Sequence, residues 1–384
     1  MEVGLGVEPS PWKISLSDID FGAEEEAAAL EVVRSKWLSI GSRTAELERG
    51  FAEKVGCRHA VAVSNGTAAL HLALLAAGVG PGDEVVVPAL TFVATVNAVL
   101  YCGATPVFGD IVGPADLRLG PEDVARKVSS RTKAVVPMHY GGYTCDMDAF
   151  RGLAAASALK IVDDAAHAPG SSWRGKPVGS LADASCFSFF ANKNLVTGEG
   201  GMVTTNDDAV GSFVRTNRSH GMTALSYDKH RGHAFSYDVV SVGFNYRMTE
   251  IQAALGVVQL GKLDRNNAAR RALTKAYRAR LAAVKGLTIP FAGDEDASAC
   301  HLFVVVLPEG VDRDRVQGRM KERGIQTSIH YPPVHRFSSY RGRFSAEVPQ
   351  VDRVADRLLT LPLHPLMSER DVDEVSSGLA AALG

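Results

Sequence analysis

The sequence predicts an α/β fold built on a largely parallel sheet, and two observations carry that expectation. Apolar, β-branched runs of about five residues recur through the first half of the chain, and stretches with helical spacing separate most of them. A third observation concerns the C-terminal part, where the texture changes after Arg247 to long amphipathic patterns followed by one more strand and two more helices. That change predicts a large domain over residues 1–260 and a smaller α+β domain over 261–384.

Ala23–Ser35 begins with three glutamates and continues with apolar residues at helical spacing, so a helix is expected there. Thr44–Gly56 repeats the pattern, with Thr44 as the expected cap and Gly56 as the stop. Six strands are then expected at His59–Val63, Glu84–Pro88, Thr105–Phe108, Lys133–Pro137, Lys160–Asp163 and Ala184–Ser188. Their length and their flanking Gly, Pro and Asp residues favour strands over buried helix segments. Beyond Arg247, helices are expected at Met248–Leu263 and Asn266–Leu281, a strand at His301–Leu307, and helices at Asp312–Gly324 and Glu369–Leu383.

Composition excludes several classes of protein. The 384 residues carry a formal charge of −2, which gives no basic excess for nucleic acid or an anionic membrane, so small molecules are the expected partners. No apolar run approaches the roughly 20 residues of a membrane span, and Met1–Trp12 lacks the order of a signal peptide, so a cytoplasmic location is expected. The five cysteines are odd in number, scattered and never in a C-x-x-C pair, which argues against a disulfide framework or a zinc knuckle and for buried thiols.

Three places carry residues suited to chemistry. Ser64-Asn65-Gly66-Thr67 joins a strand to a helix, where unpaired N–H groups and the helix dipole favour an anion, and Ser64 and Thr67 add hydroxyls. Neither a G-x-G-x-x-G nor a G-x-x-x-x-G-K-[ST] motif is present, which removes the commoner phosphate-binding motifs. Asp163 and Asp164 end a strand at the sheet edge where ligands bind, and one of them is expected to face the site. Such an acid can cap a helix, hold a metal with His167, or hold the protonated nitrogen of a cofactor ring. The metal role is the poorest of the three, since no further ligand stands nearby at a suitable spacing. Third, Lys193 stands between the apolar run ending Phe189-Phe190 and the Gly-rich Thr197–Gly201. Burial there favours the neutral amine, the form that attacks a carbonyl. A phosphate turn, a strand-end acid and a lysine, in that order, are the parts that hold pyridoxal phosphate.

With these parts in place, nearly the whole chain resembles the DegT/DnrJ/StrS nucleotide-sugar aminotransferases, a branch of the fold-type I pyridoxal-phosphate enzymes. The matching segments are Ser64–Leu70, Pro88–Thr95, Asp164–His167, Ser188–Asn194, Gly198–Gly201 and Gly243–Ala254, with Gln326–His335 and Leu361–His364 near the C-terminus. One departure is His167, where many members have Gln. The resemblance gives Lys193 the covalent link to the cofactor and the role of proton carrier, and it gives Asp164 the pyridinium nitrogen. Phe92 would stack on the ring, Gly66, Thr67 and Ser188 would hold the phosphate, and His167 would meet the 3-hydroxyl region. Asn245 is similar to an asparagine that reaches the phosphate from a neighbouring subunit, which implies a homodimer with shared active sites.

The same resemblance implies a cycle through pyridoxal and pyridoxamine 5′-phosphate, with L-glutamate as donor and a nucleotide-linked keto sugar as acceptor. Segment Gln326–Pro333 resembles those of enzymes that aminate C4 of a dTDP-4-keto-6-deoxyhexose, with His330 and Tyr331 near the sugar. The basic loop Asp228–His233 is either a contact for the diphosphate or an ordinary solvated loop. Amination at C3 or of a cyclitol ketone such as scyllo-inosose is the alternative, as is a cofactor-binding protein used for regulation without turnover. A dehydratase-like enzyme of this fold would carry histidine in place of Lys193, and a hydride-transferring oxidoreductase would be expected to show the glycine fingerprint.

Overall fold

The computed structural model describes residues 11–223 and 236–384. Two helices, α1 (Ala23–Ser35) and α2 (Ser42–Val55), precede the sheet. The expectation that Thr44 caps α2 is corrected: the helix begins two residues earlier, and Thr44 is buried in its first turn. There its hydroxyl donates to the Glu250 carboxylate at 2.6 Å, which also accepts the N–H groups of Gly41, Arg43 and Thr44 at 2.8–2.9 Å. The free N–H groups that begin every helix are thus satisfied from a distant element. Gly56 ends α2 as expected, in the left-handed conformation at φ 66°.

The strands of the first half follow as β1 (His59–Val63), β2 (Glu84–Pro88), β3 (Thr105–Gly109), β4 (Ile111–Gly113), β5 (Asp116–Leu119), β6 (Thr132–Val135), β7 (Lys160–Asp164), β8 (Ser172–Trp173), β9 (Lys176–Pro177), β10 (Ala184–Ser188) and β11 (Gly201–Thr205). Between them run α3 (Gly66–Ala76), α4 (Val93–Tyr101), α5 (Pro121–Lys127) and α6 (Met147–Ser157), and α7 (Asp208–Asn217) comes after β11. Seven strands form one sheet in the order β1-β11-β10-β7-β6-β2-β3. Five are parallel neighbours, β10, β7, β6, β2 and β3, whereas β11 runs antiparallel to both β1 and β10. The sequence expectation of six strands lacked β11, whose first residue closes the Gly-rich turn after Lys193.

Alternation along the strands divides the core between the two faces of the sheet. Val61, Val63, Val85 and Val87 face one apolar layer, while Ala60, Ala62, Val86 and Phe187 face the other. Both layers are covered, as a parallel sheet requires.

The two helices expected between Met248 and Leu281 are one continuous 32-residue helix, α8 (Glu250–Leu281). Thr249 and Gln252 form a capping box at its start. Polar residues past the expected break are spent on tertiary contacts: Asn267 donates to the Pro169 carbonyl at 2.9 Å and accepts from the Asn194 amide at 2.8 Å. Early in α8, Gln259 and Lys262 bond Glu25 of α1; late in it, Arg270 and Tyr277 bond the Leu363 and Pro362 carbonyls. The rest of the chain supplies β12 (Phe303–Val306), α9 (Arg313–Glu322), α10 (Pro349–Val354), β13 (Leu358–Leu361) and α11 (Glu369–Leu383), with β12 and β13 paired antiparallel. Among the described residues, no helix is long and apolar enough to cross a membrane.

Candidate active site

The carboxyl ends of β1, β2, β7 and β10 open on one cavity of about 590 Å³. Its floor is the start of α3. Asn65 caps that helix by accepting the Ala68 N–H at 2.8 Å, and Gly66 and Thr67 line the cavity. A Cβ on Gly66 would stand 2.9 Å from the Cβ of Ser188, so only glycine lets α3 begin directly against the end of β10. Ser188 therefore joins Gly66 and Thr67 on the wall, whereas Ser64 is not part of it. Three polar groups at a helix N-terminus form a cradle for a phosphate.

Of the two strand-end acids, Asp164 faces the cavity. Asp163 points to the other side of the sheet, fully buried, with one oxygen 3.2 Å from Nε2 of His139. The oxygens of Asp164 accept the Thr95 hydroxyl at 2.8 Å and the Ala166 N–H at 3.1 Å. Burial raises its proton affinity above the usual carboxylate range, against the pull of Thr95, Ala166 and the Lys193 charge. Both hydrogen-bond donors are neutral, and none of the described lysines or arginines forms an ion pair with it. A buried carboxylate so placed fits a cationic ring N–H.

Lys193 ends a tight turn after β10, its N–H donating to the Phe190 carbonyl at 2.9 Å. The next residue anchors that turn, since buried Asn194 donates at 2.8 Å both to the Ala299 carbonyl and to Asn267. Burial pushes the Lys193 ammonium down to about 8, with Asp164 opposing the shift. This is the partly desolvated amine that Schiff-base chemistry needs.

The remaining wall is aromatic and imidazole. Phe92, the residue before α4, is 52% exposed, an apolar face presented to the cavity, and its ring centroid lies 5.7 Å from that of Tyr331. His167 is buried, with Nδ1 accepting the Gly141 N–H at 3.2 Å and Nε2 2.9 Å from the Tyr331 hydroxyl. His330 bonds the Thr360 hydroxyl through Nδ1 at 3.0 Å. Burial holds both imidazoles in the neutral form, with His330 at about 4.

The structure thus brings Gly66, Thr67, Phe92, Asp164, His167, Ser188, Lys193, His330 and Tyr331 to one cavity. Asn245 is not among the lining residues; it is exposed and forms a bridge with Ser219. The loop Asp228–His233 lies outside the described residues. The sequence reading missed Thr95, which holds Asp164, and Tyr246, which lines the cavity and whose hydroxyl is 3.2 Å from Nδ1 of His71. Thr95 closes the segment Pro88–Thr95, so its position was visible although its contact was not.

Comparison with known proteins decides the class. Residues 20–380 match the model of the DegT/DnrJ/EryC1/StrS aminotransferase family. The chain belongs to this family. It is 41% identical over 362 residues to the spore coat polysaccharide biosynthesis protein SpsC of Bacillus subtilis (strain 168), covering 92% of this chain and 93% of that protein. Among solved structures, it is similar to the sugar aminotransferase Spr1654 of Streptococcus pneumoniae in its PMP-form, described as putative, with a TM-score of 0.89 at 28% identity over 96% of this chain and 99% of that one. It is also similar to DesI, solved in the presence of its TDP-sugar product, with a TM-score of 0.87 at 33% identity over 98% and 94%. The protein is a pyridoxal-phosphate-dependent sugar aminotransferase of fold-type I.

Proposed function

We propose that Lys193 carries the cofactor and that the enzyme moves the amino group of L-glutamate to a nucleotide-linked keto sugar, at C4 of a dTDP-4-keto-6-deoxyhexose. The observation that carries this reading is the meeting of three groups in one cavity: a lysine held near 8, a buried acid and the start of α3. Bound pyridoxal phosphate supplies an electrophilic carbon and a ring that accepts electrons when its nitrogen is protonated. Asp164 keeps that nitrogen protonated, and Thr95 keeps Asp164 in place. Gly66, Thr67 and Ser188 hold the phosphate, and Phe92 fixes the plane of the ring. Lys193 moves a proton between the α-carbon of the substrate and the cofactor in each half of the cycle.

Support for a sugar acceptor comes from the family and from the similarity to SpsC and DesI. Support for the C4 position is the resemblance of Gln326–Pro333 to segments of enzymes that aminate C4, and His330 and Tyr331 of that segment line the cavity. The homodimer rests on Asn245, exposed and outside its own cavity, beside Val239, Val240 and Val242, which are 54%, 61% and 93% exposed. We place the boundary of the two domains at residues 260 and 261, within α8, whose bonds to the first unit run on through Asn267 before Arg270 and Tyr277 bond the loop before α11. The free cysteines are in keeping with a reducing cytoplasm.

The visible spectrum of the protein with pyridoxal phosphate, taken before and after L-glutamate, tests the first half-reaction. Wild type is expected to show a band that glutamate bleaches, and Lys193→Ala to lack it. The pyridoxamine form is then mixed with a dTDP-4-keto-6-deoxyhexose, a 3-keto isomer and scyllo-inosose. Amine in either of the last two products alone would move the reading to C3 or to a cyclitol.

A further inference from the structure

The family resemblance gives His167 the 3-hydroxyl region of the cofactor, but the hydrogen bonds of that side chain leave it no free nitrogen. Nδ1 accepts the Gly141 N–H at 3.2 Å, and Nε2 lies 2.9 Å from the Tyr331 hydroxyl. A nitrogen that accepts a backbone N–H carries no proton of its own, so the single proton of the neutral ring sits on Nε2. Nε2–H therefore donates to the oxygen of Tyr331. The hydroxyl proton of Tyr331 is then left to donate elsewhere, and His167 is the one partner this oxygen has among the described hydrogen bonds.

Tyr331 lines the cavity, with its ring 5.7 Å from that of Phe92 and 5.9 Å from that of His167. Pyridoxal phosphate presents three polar handles, and the reading above gives its nitrogen to Asp164 and its phosphate to the start of α3. We infer that Tyr331 donates the hydrogen bond to the cofactor's 3-oxygen, and that His167 is a positioning residue that acts only through Tyr331. This rests on the proposed site.

The consequence is electrostatic. The 3-oxygen, when negative, attracts the proton on the nitrogen that joins the cofactor to Lys193. A hydroxyl that donates to the oxygen draws off part of that charge, so the nitrogen releases its proton at lower pH. The groups that face this corner are Asp164, Lys193, His301, with its ring 4.3 Å from that of His167, His330 and Tyr140. Burial favours the uncharged state of every histidine in this set, so none of them adds a charge beside the 3-oxygen, and the directional O–H bond acts beside Asp164, which every variant below keeps.

Glutamine offers the same order of groups as this tautomer, an oxygen to accept Gly141 and an N–H to donate to Tyr331. Leucine offers neither. The test is the pH titration of the visible band of the cofactor-loaded protein, with no substrate present. Tyr331→Phe is expected to move the midpoint upward by about one pH unit, the size of one hydrogen bond to a charged group. His167→Leu is expected to move it in the same direction, and His167→Gln to restore the wild-type midpoint. The double variant Tyr331→Phe/His167→Leu is expected to match Tyr331→Phe alone. A further shift in the double variant would show that His167 touches the cofactor itself and would overturn the inference. So would an unmoved midpoint in Tyr331→Phe, with Lys193 still carrying the cofactor. A wild type with no band would remove the Lys193 reading, and this inference with it.

Discussion

An amine attacks a carbonyl only after losing its proton, so in the proposed site the position of Lys193 at about 8 is expected to set the pH at which the apoprotein captures its cofactor. Burial is the cause, and the sign follows from it: desolvation disfavours the ammonium, so the reactive form accumulates below the usual lysine range. The capture rate, followed by stopped-flow absorbance, is expected to rise with pH and level off above about 8, whereas an ordinary exposed lysine would continue to gain up to about 10.4. In the proposed site Asp164 has a separate role, since its charge would hold the proton on the ring nitrogen. Asp164→Asn is expected to slow the glutamate half-reaction by at least about a hundredfold in single turnover, while the Lys193 band persists. At this scale the convergence of Lys193 and Asp164 on one cavity was legible from the residue types of their segments, and that of Phe92 from the family resemblance. Thr95 and Gly141 were not. Their roles are single hydrogen bonds to Asp164 and His167, made across the fold between segments that the sequence keeps far apart.

At the scale of elements, the sequence showed most strands and missed how some elements are finished. Five-residue apolar runs with flanking Gly, Pro and Asp favoured strands at β1, β2 and β10, but β11 opens with Gly201 and pairs antiparallel between two strands, a placement decided by the sheet and not by its own composition. The start of α2 is a similar case. A local reading chose Thr44, a good capping residue by type, whereas the buried Glu250 carboxylate at the start of α8 serves three N–H groups and the Thr44 hydroxyl together. Glu250→Gln keeps the shape and removes the charge. It is expected to cost about 2 kcal/mol in urea unfolding at an unchanged m-value, since bonds to charged acceptors are the stronger ones. Gly66→Ala tests the other junction, where the added Cβ would meet Ser188 at 2.9 Å and push α3 from the end of β10. Overpacking of this kind costs about 1–3 kcal/mol, and here it also moves the phosphate cradle. A cofactor titration is expected to show weaker binding by tenfold or more in roughly that energy range.

For the whole molecule, the neutral histidines in and behind the cavity wall tie folding to pH. Burial depresses the proton affinity of His167, His301 and His330. Between the ordinary value of about 6.5 and the lowered ones, the unfolded chain binds protons that the fold refuses, so stability falls as pH falls. Urea unfolding of the apoprotein is expected to lose up to about 4 kcal/mol between pH 7 and 5.5, with the loss shrinking as each histidine is replaced. The second property at this scale is assembly. The two-domain reading was drawn from texture, whereas the role proposed for Asn245 came from the family resemblance, since in the structure this residue shows only its exposure. If Asn245 completes the phosphate site of a partner, Lys193→Ala and Asn245→Ala damage the same site from different chains. In a mixed dimer of the two variants, one site then carries both lesions and the other carries neither. Equal mixing followed by subunit exchange is expected to restore glutamate-bleached absorbance to about a quarter of all sites, half of the dimers contributing one intact site each. If Asn245 served its own chain, every site would keep one lesion, and mixing would restore nothing.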